Sequence, residues 1–495
     1  LENVSRRTFL RVASVTFFGA RLATAANLAR SPYLQRVSSN SATILWTTLE
    51  AGDGSVTITS PDGTVSTFAA TLTTFAASMT GLSTAFHLYQ ADVTGLQPGS
   101  QYSYTVTMDG AVVAADPGQS FRTPAPGAFS FLALGDSGLG SAQQLALIQQ
   151  MQNETGIGKV IHVGDLAYQS GTFAQVDSNY FGANAALMRG LPFFATPGNH
   201  EYETNSAAPY LASQAAPLSN VPAADLGRYY SYDWGDAHFV SLDSNFLATS
   251  GASRMLNWLD SDLAATEKFW KIVFLHHPPY PTGAHVGDPL CVLAHEHVNH
   301  IVEQHGVQLV LSGHEHAYER SFPLADDQPV NAGLPSTTYV ITGGGGYALE
   351  TVGSLPQCAL AVSAYHYLRV DVTGSTLTSR AVGLDGAVID SMTLNPPPVV
   401  ASALSSGAMV SIFGRNLAVR PELAAIPSAS LGGVTVSANG TPALLISASP
   451  NRIDLEVPHG AIGEVLLRVT TANGSALTTV MISRDTPYRS RAAAQ

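Results

Sequence analysis

Between residues 129 and 395, short apolar runs of strand length alternate with helix-length amphipathic stretches. This pattern limits the fold more than any other feature of the 495 residues. The runs 129–134, 159–163, 193–196, 238–242, 271–275 and 308–311 read as strands, and 142–151, 255–263 and 292–304 read as helices. Such alternation predicts an α/β sandwich. Several strands are followed at once by acidic, imidazole, amide or phenol side chains: Gly135-Asp136-Ser137-Gly138, Gly164-Asp165-Leu166-Ala167-Tyr168, Gly198-Asn199-His200-Glu201, His276, and Gly313-His314-Glu315-His316. Ligand sites of α/β sheets gather at the carboxyl ends of strands, so these loops can converge although they lie far apart in sequence. A single Gly-Asp after a strand is ordinarily a turn, but independent turns have no reason to present the whole set in this order. Oxygen and nitrogen donors without thiolate suit Fe, Mn or Zn. Two separated carboxylates and several imidazoles can hold a pair of ions, one carboxylate bridging.

The flanking sequence has another texture. Residues 31–122 are rich in short β-prone runs broken by Gly, Pro, Asp and Asn, with Trp46 as a core residue. Gly95-Leu96-Gln97-Pro98-Gly99-Ser100-Gln101-Tyr102 resembles a fibronectin type III corner, in which a Tyr hydroxyl bonds back to the upstream backbone. After the stiff connector Pro396-Pro397-Pro398, residues 399–484 are again turn-rich and β-prone. Asn439-Gly440 and Asn473-Gly474 are hairpin candidates there, and the stretch resembles Ig-like modules of secreted bacterial proteins. The expected architecture is therefore an α/β sandwich core over 129–395, between a fibronectin type III-like β-sandwich and an Ig-like β-sandwich, with a disordered tail over 485–495.

Composition closes off other classes. A formal charge of −13 with 23 Lys and Arg leaves no basic stripe for nucleic acid. Ser5-Arg6-Arg7-Thr8-Phe9-Leu10-Arg11, followed by a modest apolar run and small residues, resembles a twin-arginine export signal over residues 1–25. The run is too short for a stable membrane span. The expectation is passage through the twin-arginine translocation machinery to a periplasmic or secreted location, with metal loaded before export. Cys291 and Cys358 permit at most one disulfide, and whether they pair stays open.

The five blocks together resemble the purple acid phosphatase family of the calcineurin-like metallophosphoesterases, matching its motifs GDxG, GDxxY, GNHD or GNHE, VxxH and GHxH. Tyr229-Tyr230-Ser231-Tyr232-Asp233-Trp234-Gly235-Asp236 and Ala317-Tyr318-Glu319-Arg320 resemble its plant-type, large-chain branch. The resemblance covers about residues 31–390. It implies a first metal held by Asp136, Tyr168 and His316, with Asp165 bridging to a second held by Asn199, His276 and His314. The phenolate implies Fe(III) at the first site and a purple colour; the neutral ligands of the second suit Fe(II), Zn(II) or Mn(II). The implied reaction is hydrolysis of a phosphate monoester by in-line attack of a metal-bound hydroxide at acidic pH. His200 matches the family's phosphate-contacting His, and His285 its leaving-group partner. Val286 stands where the plant pattern has a second His, which changes what can protonate the leaving group.

Other residues read as bystanders. His277 adjoins a ligand but, by strand alternation, faces the other way. His162 packs within its strand, and His295, Glu296, His297 and His300 lie on an exposed helix without sharing one face. Glu201 and Glu315 are supporting or surface groups. Gly343–Gly346 lacks the Lys-Ser/Thr of a P-loop and reads as a tight loop bordering the site. Two other functions fit the same sequence: a phosphodiesterase or phytase-like polyphosphate hydrolase using the same site, and a non-catalytic surface-binding protein.

Overall fold

The structure, a computed structural model, describes residues 27–331, 333–406 and 408–482; the expected export signal over 1–25 and the expected tail from 485 lie outside them. Residues 28–122 form two antiparallel sheets packed face to face. One is ordered Leu28–Gln35, Ser41–Thr48, Phe86–Thr94, Thr71–Phe75; the other is built on Gly54–Thr59 and Gln101–Met108. Trp46 is fully buried between them and stacks on Tyr89 with ring centroids 5.3 Å apart. The Tyr102 hydroxyl accepts a 2.7 Å hydrogen bond from the Gln97 N–H, five residues upstream, which fixes that corner.

The central region is a pair of mixed sheets with helices outside both. The first sheet runs Phe193–Ala195, Ile157–His162, Phe129–Leu134, then the antiparallel strands His366–Thr373, Thr376–Gly383 and Val388–Leu394. The second runs Tyr230–Trp234, Ala237–Leu242, Trp270–Leu275, Leu309–Ser312, Thr338–Thr342, Tyr318–Ser321, Cys358–Val362. Alternate side chains explain the layering. Phe131, Ala133, Ile161, Phe239, Ile272 and Phe274 fill the space between the sheets. Leu132, Leu134 and Val160 face Leu147, Ile148 and Met151 of helix Ala142–Asn153. Val240, Val273 and Val310 face Met255 and Leu259 of helix Ala252–Ala265 and Val298 and Val302 of helix Pro289–Gln304. Strands buried on both faces read as continuous apolar runs, which is why their positions are visible in the sequence.

Residues 399–482 form a second two-sheet β region around Val410, Ile412, Leu445, Ile453, Val465 and Leu467. Asn439-Gly440 and Asn473-Gly474 stand at hairpin turns, the first with φ 48 and 83, as a tight primed turn requires. This region is docked on the core. Arg420 pairs with the buried Asp236 at 3.0 Å, and the Arg415 guanidinium donates to the Gln304 carbonyl at 2.7 Å, placing a cation on the C-terminal end of helix Pro289–Gln304. The thiols of Cys291 and Cys358 are both free.

At the same interface His238 is held at 2.8 Å by Asp233 on one ring nitrogen and at 2.8 Å by Asp262 on the other, with Lys268 3.7 Å from Asp233. Burial works against a charge on His238, but the two carboxylates outweigh it and raise the imidazole above its ordinary value. Protonation is therefore favoured by folding. The stabilisation is complete below the unfolded histidine's ~6.5 and is lost as pH rises through the raised folded value. Urea unfolding of wild type and His238→Asn should differ most at pH 5.5 and converge by pH 9; a gap that does not shrink with pH would contradict this.

Candidate metal centre

Every parallel strand of the two sheets ends on one side of the molecule, and the site is assembled from the loops that leave those ends. Asp136 follows Phe129–Leu134, Asp165 and Tyr168 follow Ile157–His162, Asn199 follows Phe193–Ala195, His276 follows Trp270–Leu275, and His314 and His316 follow Leu309–Ser312. Asp136, Asp165 and His314 have φ of 58, 54 and 70, a left-handed backbone that costs a non-glycine residue about 1 kcal/mol or more and concentrates at functional sites. Two glycines leave room for the cluster. A Cβ on Gly198 would stand 2.0 Å from Asp165 Oδ1, and one on Gly164, itself at φ 104, would stand 2.4 Å from His276 Nδ1.

The donors form two groups that share Asp165. On one side the Tyr168 hydroxyl lies 2.7 Å from Asp165 Oδ2, 3.3 Å from Asp136 Oδ1 and 3.2 Å from His316 Nε2. On the other, Asn199 Oδ1 lies 3.0 Å from His276 Nε2 and 3.1 Å from His314 Nδ1, and His276 Nε2 lies 3.4 Å from Asp165 Oδ1. Each oxygen of one carboxylate thus faces a different donor set. All seven residues expected to hold metal from the sequence are brought together.

Electrostatically the cluster lacks cations of its own. Among the described residues, the ion-pair partners of Asp136 and Asp165 are imidazoles, never Lys or Arg. Burial and then the Asp165 charge push the Asp136 carboxyl well above its usual range, and burial with the same carboxylates pushes the Tyr168 phenol up. Burial likewise holds His276, His314 and His316 below the ordinary imidazole value, so they stay neutral. Desolvated acids facing neutral nitrogen donors are unfavourable alone and favourable around positive ions. The donor set fits two metal ions. It includes a phenol oxygen on one side only, and no thiol belongs to either group.

Comparison with known proteins agrees with this chemistry. Residues 129–318 match the model of the calcineurin-like phosphoesterases, and residues 25–126 match one described as a domain of unknown function (DUF7800). Acid phosphatase type 7 of Mus musculus is 25% identical over 358 residues, 62% of this chain and 77% of that one. Probable inactive purple acid phosphatase 1 of Arabidopsis thaliana is 24% identical over 387 residues, 68% of this chain and 62% of that one. The solved purple acid phosphatase PPD1 from yellow lupin (Lupinus luteus) seeds shares the fold with a TM-score of 0.66 at 18% identity, over 74% of this chain and 75% of that one. Residues 129–318 are a calcineurin-like phosphoesterase domain, and the chain is similar to acid phosphatases, purple acid phosphatases among them.

Around this candidate metal-binding cluster the structure places two partly open imidazoles. The His200 ring packs 4.4 Å from the Tyr168 ring, its Nδ1 is tied to the Gln169 carbonyl, and its Nε2 lies 3.9 Å from Asp165 Oδ2. His285 packs 3.8 Å from the His314 ring, with Nδ1 3.4 Å from Glu315 and 3.5 Å from Glu350. Burial opposes its charge, but those two carboxylates raise the imidazole above its ordinary value.

Several residues carry more than the sequence suggested. Glu201 and Glu315 are fully buried, so neither is a surface group. Glu201 accepts the N–H groups of Asp165, Leu166, Ala167 and Gly198 at 2.7–3.0 Å and ties two metal-site loops together. Glu315 accepts the N–H groups of Ala284 and His285 and fixes the loop that carries His285. Tyr347, Glu350 and Asp288 were not visible as site residues. Tyr347 stacks on Tyr168 with centroids 4.0 Å apart, Glu350 accepts the His316 N–H at 3.0 Å, and Asp288 lies 3.8 Å from His314 Nε2. His162 bonds Ser137 at 2.8 Å beneath the site, and His295 pairs with Asp327 on the expected helix away from it.

Glu201→Gln preserves shape but turns one acceptor oxygen into a donor that faces two N–H groups. Each orphaned buried donor costs about 1–3 kcal/mol, so urea denaturation should show a loss of about 2–5 kcal/mol, with weakened metal binding. Wild-type stability in that variant would remove Glu201 from the site's support.

Proposed function

We propose that the protein is an exported, metal-dependent acid phosphatase that hydrolyses small phosphate monoesters at a two-ion centre. The observation that carries this reading is Asp165, whose two oxygens face two different donor sets. Asp136, Tyr168 and His316 would hold Fe(III), as the phenol oxygen favours, and Asn199, His276 and His314 a divalent ion, Fe(II), Zn(II) or Mn(II). Bound there, the two ions would clamp phosphate oxygens, acidify a water for attack at phosphorus and give the protein its colour. Some relatives are named inactive, so the completeness of the donor set is what supports activity in this chain.

The chain's own residues do the rest. His200 Nε2, turned toward Asp165 by the bond at Nδ1, is placed to donate to a phosphate oxygen. His285, flanked by Glu315 and Glu350, would hand a proton to the departing alcohol. Asp288 lies 3.8 Å from His314 and Glu350 3.8 Å from His316, and among the described residues no Lys or Arg pairs with a site residue. A phytate or polyphosphate would bring further negative charge against those two carboxylates, which favours a small monoester.

Protein purified after native export should contain about two metals per chain and hydrolyse p-nitrophenyl phosphate at acidic pH. Asp165→Asn should lose metal and fall to background rates while its circular dichroism stays unchanged. His285→Ala should cost about 10²-fold on an alkyl phosphate and less on p-nitrophenyl phosphate, whose leaving group needs no proton. Full activity in Asp165→Asn would remove the two-ion reading. Export rests on the twin-arginine-type residues 5–11: a reporter fused behind residues 1–30 should reach the periplasm, and Arg6→Lys with Arg7→Lys should retain it in the cytoplasm.

A further inference from the structure

We infer that His277 is a third imidazole of the second metal position, beside His276 and His314, and that it biases that position toward Zn(II). The inference rests on the two-ion reading above and names one residue that the family motifs leave out. Strand alternation had turned His277 away from the site. The strand Trp270–Leu275 ends one residue before His276, so its alternation does not extend to the pair. The backbone turns there, and both rings come to the same side.

The geometry has three parts. His277 is 1% exposed, its ring centroid lies 4.4 Å from that of His314 and 5.0 Å from that of His276. One nitrogen from each of the three rings lies within 4.8 Å of the others. Two nitrogens bound to one Zn(II) at about 2.0–2.1 Å are at most about 4.2 Å apart, so small side-chain rotations close the remaining gap. Finally, Ser244, itself fully buried, fixes the ring: its Oγ accepts the His277 backbone N–H at 3.0 Å and lies 2.7 Å from Nδ1. In the tautomer whose Nδ1–H donates to that oxygen, Nε2 carries the lone pair. Metal-bound histidines are oriented in this way by a hydrogen-bond partner on the other ring nitrogen.

The consequence is a choice of metal. Asn199, His276 and His314 with one oxygen of Asp165 make a mixed oxygen and nitrogen site, open to Mn(II) or Fe(II). A third imidazole moves the balance toward nitrogen, which suits Zn(II) better than Mn(II). The first position keeps its phenol and carboxylate oxygens and is unaffected.

The test is a metal titration of the full-length protein after chelator stripping, with Zn(II) and with Mn(II) separately, by calorimetry and by metal content after dialysis. Wild type should take two Zn(II) per chain. His277→Gln should keep one tight equivalent and bind the other at least about tenfold more weakly, with little change for Mn(II), so that the Zn-to-Mn preference narrows. Ser244→Ala should shift the same equivalent in the same direction by less, and it removes only a hydroxyl should the larger change disturb folding. Two equivalents in wild type with unchanged Zn(II) affinity and preference in both variants would overturn the role of His277 alone. A wild type that takes up no second ion would overturn the two-ion reading and this inference with it.

Discussion

A single carboxylate, Asp165, has to offer one oxygen to a phenol-bearing group of donors and the other to an amide-and-imidazole group, and much of the surrounding structure keeps it there. Its backbone is held in the left-handed region, Gly198 leaves the space that a side chain would fill, and Glu201 gathers its N–H with three others. The two sheets matter because they end together. Strands from both halves of the sandwich deliver Asp136, Asp165, Asn199, His276, His314 and His316 to one edge, and each donor group draws on both sheets.

The energetics of the core and of the site pull in opposite directions. Burial of Phe131, Phe239, Phe274 and their neighbours contributes roughly 1.5–3 kcal/mol per side chain and holds the strands in register. The same packing strips water from Asp136, Asp165 and Tyr168, which no Lys or Arg among the described residues neutralises. A chain that accumulates desolvated acids and left-handed ligand residues at one edge is less stable there than it could be. Metal ions held there would restore the balance and tie folding to metal loading.

Much of this was legible in the sequence because burial on both faces leaves uninterrupted apolar runs, and because Gly-Asp and Gly-Asn-His at strand ends are short-range signals. The less legible parts follow equally physical rules. Of the antiparallel strands that extend the first sheet, His366–Thr373 alternates from Leu368 to Thr373, whereas Thr376–Gly383 and Val388–Leu394 mix polar and apolar residues with no clean period. Tyr347, Glu350 and Asp288 reach the site through tertiary packing alone. His277 was misread because alternation was extended past the end of a strand. Glu201 and Glu315 sat inside motifs, yet only the folded chain shows that their partners are backbone N–H groups of neighbouring loops.

The most direct test of the account is anomalous X-ray diffraction from crystals of the protein purified from its native source, recorded at the iron and zinc edges. The account predicts two peaks, one on each side of the Asp165 carboxylate, with iron beside Tyr168 and a different, divalent ion beside Asn199. A single ion, or two ions that do not share Asp165, would contradict it.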